Sequence, residues 1–342
     1  IDPDDLYDEE KGIMVHYTKR GDRWRRDANI ILIDEDGKVV INQSCLVAIS
    51  GGTSAPVKSL KFTAFDGEYF DAEIINGDVN DTSLSSVDQY KSIRVGSGQQ
   101  DVAYGGNVRS ALLTSLLEEC DYEGRSGTQR CIAFLNGTFY KICDLQPTYT
   151  DEYIAARFNL KEDYIWHSKY KEEDVLKEAG VWNLFWKDLN NEKYRESLEA
   201  RVDMDNYLEY FALEVLVDNS DWPQNNYEIW RYIGEYDSNN PYSDGKIRFL
   251  IYDADLIYYM KGNYEFFSYA LEDNFMQLMT LRGKAYNSTF RHVMESDYYR
   301  NKFMIIISNL MQRTFAPNNI EKLIDQENTV MDDAQLYWLS ER

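Results

Sequence analysis

The 342-residue chain has few histidines and cysteines, and this scarcity narrows the chemistry that it can perform. Its three histidines, His16, His167 and His292, are far apart and share no metal-ligand spacing. The four cysteines form no CxxC pair, so a structural zinc site is not expected. The chain also has no GxSxG nucleophile elbow, no P-loop and no dinucleotide-binding glycine motif. Metallohydrolase and serine-hydrolase functions are therefore disfavoured.

Positive charge is also scarce, with 36 Lys and Arg against 59 Asp and Glu and a net charge of −23. Such a surface repels phosphate backbones and anionic lipids, so we expect neither nucleic acid nor membrane as a partner. No stretch approaches the ~20 apolar residues that a membrane-spanning helix needs. The beginning, Ile1-Asp2-Pro3-Asp4, has no charged-then-apolar leader, from which we expect a processed or excised domain without its targeting segment. With no evident apolar interface patch, we expect a monomer.

The cysteine spacing does not decide whether the protein folds in a reducing or in an oxidising compartment. Cys120 and Cys131 flank the loop DYEGRSGTQR and would form one disulfide if the chain is exported. Cys45 and Cys143 lie in apolar, strand-like runs, where a cysteine is typically a small core residue.

The order of the sequence patterns predicts an α+β protein with two lobes, since 342 residues that are 44% hydrophobic exceed one small core. We expect an N-lobe at 1–160, an antiparallel sheet with a helix at 107–119, and a mainly helical C-lobe at 161–342. Turns at Glu35-Asp36-Gly37 and Asn136-Gly137 each predict a hairpin. Further strand candidates are CLVAIS, VKSLKFTAF, KSIRV, YEIWRYIG and KIRFLIYDADLIY. Helical spacing is found in DEYIAARF, KEEDVLKEAGVWNLFWKDL, YRESLEARV, MDNYLEYFALEVLVDN and parts of the last seventy residues.

An acidic segment in the second half, VDNSDWPQNN at 217–226, is the first candidate for a catalytic site. It follows an apolar helix and contains Asp221 and Asn226, five residues apart. Pro223 excludes a regular helix there, so both residues are expected on an irregular loop.

A second acidic cluster lies at 250–256, where a strand-like run ends at Asp253 and Asp255. Mg²⁺ prefers hard oxygen ligands and is commonly bound by one or two carboxylates. In protein kinases the catalytic Asp and a metal-binding Asn stand five residues apart, and a second metal-binding Asp follows at a strand end. Asp221, Asn226 and Asp253 have this spacing and this order.

A candidate phosphate-binding segment, SGGTSAPVKSLKF at 50–62, combines a glycine-rich turn with Lys58 and Lys61 on a predicted strand. Backbone amides of such a turn can bind phosphate, and a strand lysine can pair with it. Two alternatives remain open at this point. Asp and Asn are common turn residues, so the acidic clusters would instead cap loops or bind a structural Ca²⁺. The 27 tyrosines and seven tryptophans would alternatively supply a sugar-stacking surface, although most aromatic side chains pack in cores.

Taken in order, these segments resemble the CotH family, the spore-coat protein H kinase-like proteins, over roughly residues 12–260. DNSDWPQNN and the following IYDAD are the most specific pieces. The other segments that carry the resemblance are DLYDEEKGIMV, GGTSAPVKSL, IRVGSGQQD, NVRSALLTSLLEE, AFLNGTFYKICDLQ, DEYIAARF and VDMDNYLEYFALEVLV.

The resemblance implies one CotH-like domain with an atypical protein-kinase-like fold, which transfers phosphate from ATP to Ser or Thr hydroxyls of a protein with Mg²⁺, or with Mn²⁺ or Ca²⁺ in its place. Asp221 would be the catalytic-loop carboxylate. Asn226, Asp253 and Asp255 would bind the metal. The nucleotide would be bound by the glycine-rich turn and two basic residues, namely Gly51, Gly52, Lys58 and Arg94.

The sequence departs from the family pattern at several positions. Pro147 stands where an acidic residue is expected, Ala55 replaces a common arginine and Ser110 a common acidic residue, and Lys141 and Cys143 replace a glycine and an aromatic. Without an acidic partner a kinase lysine is not oriented for catalysis. The alternative to an active kinase is therefore a pseudokinase, or a structural or interaction module that binds metal or nucleotide without transfer. Related domains occur in secreted, cellulosome-type bacterial assemblies, so we expect a secreted, extracellular or spore-coat location and a protein substrate or assembly partner.

Overall fold

The computed structural model describes two compact units of the chain. Its described residues are 1–51, 58–75, 84–96, 108–219, 222, 226–253, 257 and 288–340, with the backbone alone at 288 and 330–340. The first unit consists of Ile1–Thr114, Ser126–Asn159 and Asp325–Arg342, and the second of Ser115–Arg125 and Leu160–Ile324. Helices and antiparallel sheets together make the protein α+β, as the sequence predicts.

Eleven strands are found among the described residues. They are β1 (Arg26–Ile33), β2 (Val39–Ser50), β3 (Ser59–Ala64), β4 (Phe70–Asp71), β5 (Gln89–Tyr90), β6 (Ser92–Gly96), β7 (Gln129–Leu135), β8 (Thr138–Pro147), β9 (Ile165–Tyr170), β10 (Tyr227–Tyr232) and β11 (Arg248–Leu250).

Ten α-helices are found in the same part of the chain, together with three short 3₁₀ turns. The helices are α1 (Pro3–Tyr7), α2 (Arg109–Glu119), α3 (Asp151–Arg157), α4 (Glu172–Glu178), α5 (Trp182–Phe185), α6 (Glu192–Glu199), α7 (Met204–Leu216), α8 (Ser288–Glu295), α9 (Asp297–Gln312) and α10 (Pro317–Ser340). Within the described residues, none of these helices combines the length and the apolar character needed to cross a membrane.

A six-stranded antiparallel sheet in the order β1-β2-β3-β6-β8-β7 forms the first unit. Both predicted hairpins belong to it: β1 pairs with β2 and β7 with β8, the latter around the Asn136-Gly137 turn. The segment CLVAIS is the second half of β2 rather than a separate strand. Predicted segments VKSLKFTAF and KSIRV supply β3 and β6, which pair with each other across the middle of the sheet.

One face of this sheet covers the core of the first unit. In β2 the buried residues alternate at Cys45, Val47 and Ile49, and in β3 Leu60 and Phe62 are buried in the same way. This period of two is that of a sheet with one buried face. Residues between these positions therefore point to the opposite face.

The second unit is built around α7, a core helix. Ten of its thirteen residues are buried. Phe211 stacks on Phe290 with ring centroids 4.4 Å apart, and Tyr207 packs on Phe249 at 5.2 Å. A three-stranded sheet in the order β11-β10-β9 belongs to the same unit. An apolar surface on nearly all sides is typical of a helix that is enclosed by other elements.

The predicted helix KEEDVLKEAGVWNLFWKDL is two helices in the structure, α4 and α5. The break is at Gly180, whose φ of +72° is a left-handed conformation that favours glycine. The Gly180 N–H donates to the Lys177 carbonyl at 3.0 Å, and the Val181 N–H donates to the Leu176 carbonyl at 3.0 Å. These two bonds form a Schellman motif, which ends α4.

All four cysteines are thiols. The disulfide between Cys120 and Cys131 that we expected for an exported chain is therefore not present. Cys131 lies in β7 directly opposite Cys143 of β8, because the hairpin register, rather than proximity in sequence, sets its neighbour.

Candidate functional site

Helix α7 ends where the first acidic segment begins. Asp218 has a left-handed φ of +49°, its N–H donates to the Val215 carbonyl at 3.2 Å, and the Asn219 N–H donates to the Glu214 carbonyl at 3.3 Å. This is again a Schellman motif, with Asp218 at the position that glycine usually occupies. Helix α7 therefore ends at Leu216, and the left-handed residue Asp218 that follows it lies three positions before Asp221 in the sequence.

A buried side-chain pair ties the start of this segment to α7. The Asn219 amide donates to Glu214 Oε2 at 2.9 Å, and both side chains are fully buried. Burial raises the pKa of Glu214 to about 8, so the carboxyl is mainly protonated at neutral pH and avoids the cost of a buried charge. Glu214 Oε1 has no hydrogen-bond partner among the described residues.

A second anchor from α7, the Tyr210 hydroxyl, contacts the segment at two points. It accepts a hydrogen bond from the Trp222 indole N–H at 2.8 Å and donates one to the Asn226 carbonyl at 3.5 Å. All three residues are buried. One hydroxyl therefore contacts two residues of the segment 217–226, Trp222 directly after Asp221 and Asn226 at its end.

The structure brings Asn226 and Asp253, one residue from each acidic cluster, into contact. Asn226 Nδ2 donates to the Asp253 carbonyl at 3.3 Å. Both residues have left-handed backbones, with φ of +64° and +55°. This conformation costs an L-residue ~1 kcal/mol or more, and non-glycine residues in it cluster at functional sites.

Strand β11, which precedes Asp253, is fixed by buried polar contacts. The Phe249 N–H donates to Asn206 Oδ1 at 2.7 Å, and its carbonyl accepts from the Tyr122 hydroxyl at 2.8 Å. The Arg248 guanidinium is surrounded by three acidic residues, Asp203 (3.2 Å), Asp244 (2.9 Å) and Glu123 (3.5 Å). These contacts hold β11 in place, and the second acidic cluster begins at the last residue of this strand, Leu250.

Asn226 and Asp253 are the two residues of the predicted metal-binding set that the structure describes. Their hydrogen bond joins the Asn226 amide nitrogen to the Asp253 main-chain carbonyl, so the two groups with ligand character, the Asn226 side-chain oxygen and the Asp253 carboxylate, take no part in it. Such oxygen ligands suit Mg²⁺, Mn²⁺ or Ca²⁺. In the described part of the chain no group of three or more His, Cys, Asp or Glu side chains forms a complete metal site. The predicted residues Asp221 and Asp255 lie outside the described residues.

The candidate nucleotide-binding residues belong to the first unit. Gly51 follows β2 with φ +79°, and its carbonyl accepts from Arg20 Nη2 at 2.7 Å. Lys58 lies one residue before β3 rather than on the strand, and its Nζ is 3.9 Å from the centroid of the Tyr17 ring. Burial lowers the pKa of Lys58. Gly52 lies outside the described residues.

Arg94 of β6 has a basic neighbour, Lys61 of β3, which the sequence placed in the candidate phosphate-binding segment but not among the nucleotide-binding residues. The two are opposite each other in the antiparallel register. Both lie on the face away from the core, because Leu60 and Phe62 point into it. Arg94 Nε is buried without a hydrogen-bond partner among the described residues. Two adjacent cations suit a phosphate group, and the alternation in SLKFTA predicts that Lys61 lies on this face.

Pro147 stands in β8 where the family pattern has an acidic residue. The nearest acidic residue in the sequence is Asp144, in the same strand. It forms an ion pair with Arg130 of β7, with Nη1 and Oδ1 2.8 Å apart and both side chains at least 93% buried. The carboxylate of this strand is thus paired with an arginine of the neighbouring strand.

Sequence comparison identifies the family. Residues 128–334 match the family model described as CotH kinase protein. Because the match covers more than half of the chain, the protein belongs to the CotH kinase family. The matched region includes both acidic clusters and begins after Gly51, Lys58 and Arg94 in the sequence. No curated protein matches the chain.

Proposed function

We propose that this CotH family member is an ATP-dependent protein kinase that phosphorylates Ser or Thr hydroxyls. In this proposal it has the two-lobed kinase-like architecture, with the N-lobe at 1–160 and the C-lobe at 161–342. The observation that carries the proposal is the contact between Asn226 and Asp253. It joins the two acidic clusters in the order that kinases use, within the region that matches the family.

Each candidate residue has one role in this proposal. ATP with a divalent cation supplies the phosphoryl group and neutralises its charge. Asp221 orients the acceptor hydroxyl and takes its proton. Asn226, Asp253 and Asp255 hold the cation through oxygen atoms. The candidate nucleotide-binding residues, namely Gly51, Gly52, Lys58 and Arg94, bind the phosphate chain, and we add Lys61 to them.

A pseudokinase or interaction module is the second candidate, and the position of Lys58 favours it. Its ammonium lies 3.9 Å from the Tyr17 ring centroid, and burial lowers its pKa. A cation held against an aromatic face is already stabilised by that ring. In this alternative the site binds metal or nucleotide without transfer, as the departures at Ala55, Ser110 and Pro147 also suggest.

The proposed partners follow from the family and from the charge. In this proposal the protein is a monomer that is secreted, extracellular or part of a spore coat. As a kinase it binds a protein substrate, and as a pseudokinase or interaction module it binds an assembly partner. The excess of 59 acidic over 36 basic residues argues against nucleic acid and anionic membranes.

The test is transfer of radiolabelled γ-phosphate from ATP, with Mg²⁺ or Mn²⁺, to the protein itself and to a generic acidic protein. We expect label with the wild type and a loss of at least about 100-fold in Asp221→Asn and Asp253→Asn, because each removes a group that acts on the transferred phosphate. Asp163→Asn, at an exposed position outside the clusters, is the matched control.

Three other outcomes are informative. Label that survives in both site variants would exclude these residues from catalysis. No label, combined with a nucleotide-dependent rise in Tm that Asp253→Asn abolishes, would identify a pseudokinase. Absence of both label and nucleotide effect would refute the phosphotransfer proposal and favour an interaction module.

A further inference from the structure

Two of the four thiols face each other across one hairpin. Cys131 of β7 and Cys143 of β8 are directly opposite in the antiparallel register. Cys143 is fully buried in the core of the first unit, and the half-buried Cys131 packs against the same core. Opposite residues of an antiparallel pair have Cα atoms about 4.5–5.5 Å apart, which is within the roughly 4.4–6.8 Å range of disulfides.

A buried ion pair next to these cysteines fixes their register. The neighbouring pair, Arg130 and Asp144, forms its 2.8 Å ion pair on the other face of the hairpin. Because a slip by one residue would move every side chain to the opposite face, it would separate this buried ion pair. Cys120, the partner expected from the sequence, instead donates its thiol hydrogen to the Leu117 carbonyl at 3.5 Å.

We propose that Cys131 and Cys143 are an oxidation site that forms a cross-strand disulfide, with a small-molecule disulfide such as oxidised glutathione as the oxidant. The Cys131 thiolate attacks one sulfur of the oxidant and releases one thiolate. The Cys143 thiolate then attacks the Cys131 sulfur of this mixed disulfide and releases the second. The two cysteines lose two electrons and two protons, and the oxidant is reduced to two thiols.

The reaction is expected during folding rather than in the folded protein. Burial raises the pKa of Cys131 to about 12 and also raises that of Cys143, so the native hairpin contains little thiolate at neutral pH. An unburied cysteine has a pKa of about 8.5. The hairpin is local, since only the segment around the Asn136-Gly137 turn separates the two strands, and it can bring the thiols together before the core closes.

The experiment refolds the reduced, denatured full chain in a mixture of oxidised and reduced glutathione, blocks the remaining thiols, and maps disulfides by mass spectrometry of a non-reduced digest. We expect one bond, between the Cys131 and Cys143 peptides, and an intact mass lower by two hydrogen atoms before blocking. The oxidised protein should melt about 4 °C above the reduced one, as expected for a disulfide closing a short loop in a chain of this size. Native protein in the same mixture should oxidise at least about tenfold more slowly.

Single variants separate this pair from other pairings. Cys131→Ser and Cys143→Ala should each lose the bond and the rise in Tm, whereas Cys120→Ser and Cys45→Ala should keep both. Cys143 is a core residue, so Cys143→Ala is at risk of not folding. In that case the variant of the half-buried partner, Cys131→Ser, tests the pairing. Refolded wild type with four thiols, or with Cys131 bonded to Cys120, would overturn the proposal. None of these readouts depends on phosphotransfer, so a failure here leaves the proposed function untouched.

Discussion

Removing one buried hydroxyl, in Tyr210→Phe, tests whether α7 positions the segment that carries Asp221. The hydroxyl accepts from the Trp222 indole at 2.8 Å and donates to the Asn226 carbonyl at 3.5 Å. Phenylalanine keeps the ring packing and removes only these two bonds. The buried indole N–H, in a residue that is 1% exposed, then has lost its acceptor.

The expected cost follows from these distances. An orphaned buried donor costs about 1–3 kcal/mol. The longer bond to Asn226 is at the limit of hydrogen bonding and adds little. We therefore expect a loss of about 2 kcal/mol, nearly all of it from the Trp222 indole. If the whole loss appears in the free energy of local opening of the segment, 2 kcal/mol corresponds to about a 30-fold increase in the equilibrium constant for opening.

Two assays measure this effect, and Tyr207→Phe is the matched control. Tyr207 is also fully buried on α7, but its hydroxyl contacts Thr289 at 3.2 Å rather than the acidic segment. Hydrogen exchange of amides in 219–226 should be about 30-fold faster in Tyr210→Phe and unchanged in Tyr207→Phe. Phosphotransfer kcat should fall by a similar factor in Tyr210→Phe alone, with KM for ATP unchanged.

Equal exchange rates in the two variants would refute the idea that Tyr210 orders the segment. Faster exchange without a fall in kcat would show that the order imposed by Tyr210 does not limit transfer. The exchange measurement needs no catalytic activity, so it is decisive for a pseudokinase as well.

Three further predictions concern stability. Gly180→Ala should lower the free energy of unfolding by about 1–2 kcal/mol in urea titrations, because alanine is strained at φ +72°; an unchanged midpoint would contradict the Schellman break. Asp144→Ala should cost up to about 3–5 kcal/mol, because it leaves the buried Arg130 guanidinium with the longer, 4.0 Å ion pair to Glu327, whereas the double variant Arg130→Met/Asp144→Leu should recover most of the loss; no recovery would show that the ion pair is not the cause. Burial raises the pKa of Glu172 from an ordinary 4.5 to about 8. Its contribution to stability is therefore complete below pH 4.5 and is lost as the pH rises through 8. The wild type should unfold more easily at pH 8.5 than at pH 5.5, and Glu172→Gln should reduce this difference; an equal difference in both proteins would refute the assignment.

Local signals in the sequence predicted the parts of the fold that short-range chemistry determines. Asn136-Gly137 between two apolar runs predicted the β7–β8 hairpin, and helical spacing predicted α2, α3 and α7. Strand β9 was missed because IWHSKY is short and half exposed, and its pairing partner β10 lies about sixty residues further along the chain. Gly180 was read as an interior helix residue because the periodicity continues on both sides of it, while its backbone ends the helix.

For the candidate site, the order of the Asp and Asn residues along the sequence was informative, whereas the buried groups that pack around them could not be predicted. The sequence identified both acidic clusters, and in the structure Asn226 Nδ2 of the first donates to the Asp253 carbonyl of the second at 3.3 Å; their shared role in metal binding stays a prediction. Their anchors, Tyr210 and Glu214, were not anticipated, since single polar groups in the apolar run EYFALEVL resemble ordinary helix residues. Their spacing of four residues, on one face of α7, was the only available signal. Lys58 was assigned to a strand that begins at Ser59, and a one-residue boundary error of this kind is common in sequence interpretation.

The strand order β1-β2-β3-β6-β8-β7 also has a consequence for the time course of folding. Hairpins β1–β2 and β7–β8 connect neighbouring segments and should form within about 1–10 μs. The pairings between these hairpins span more of the chain: β3–β6 joins residues as distant as Leu60 and Val95, and β6–β8 joins Ile93 to Pro147. Closing such long loops costs chain entropy before the new contacts can compensate for it. We expect the sheet to be completed from two early hairpins by these slow long-range pairings, so that substitutions at the β3–β6 and β6–β8 seams slow folding while those in the outer hairpins mainly accelerate unfolding.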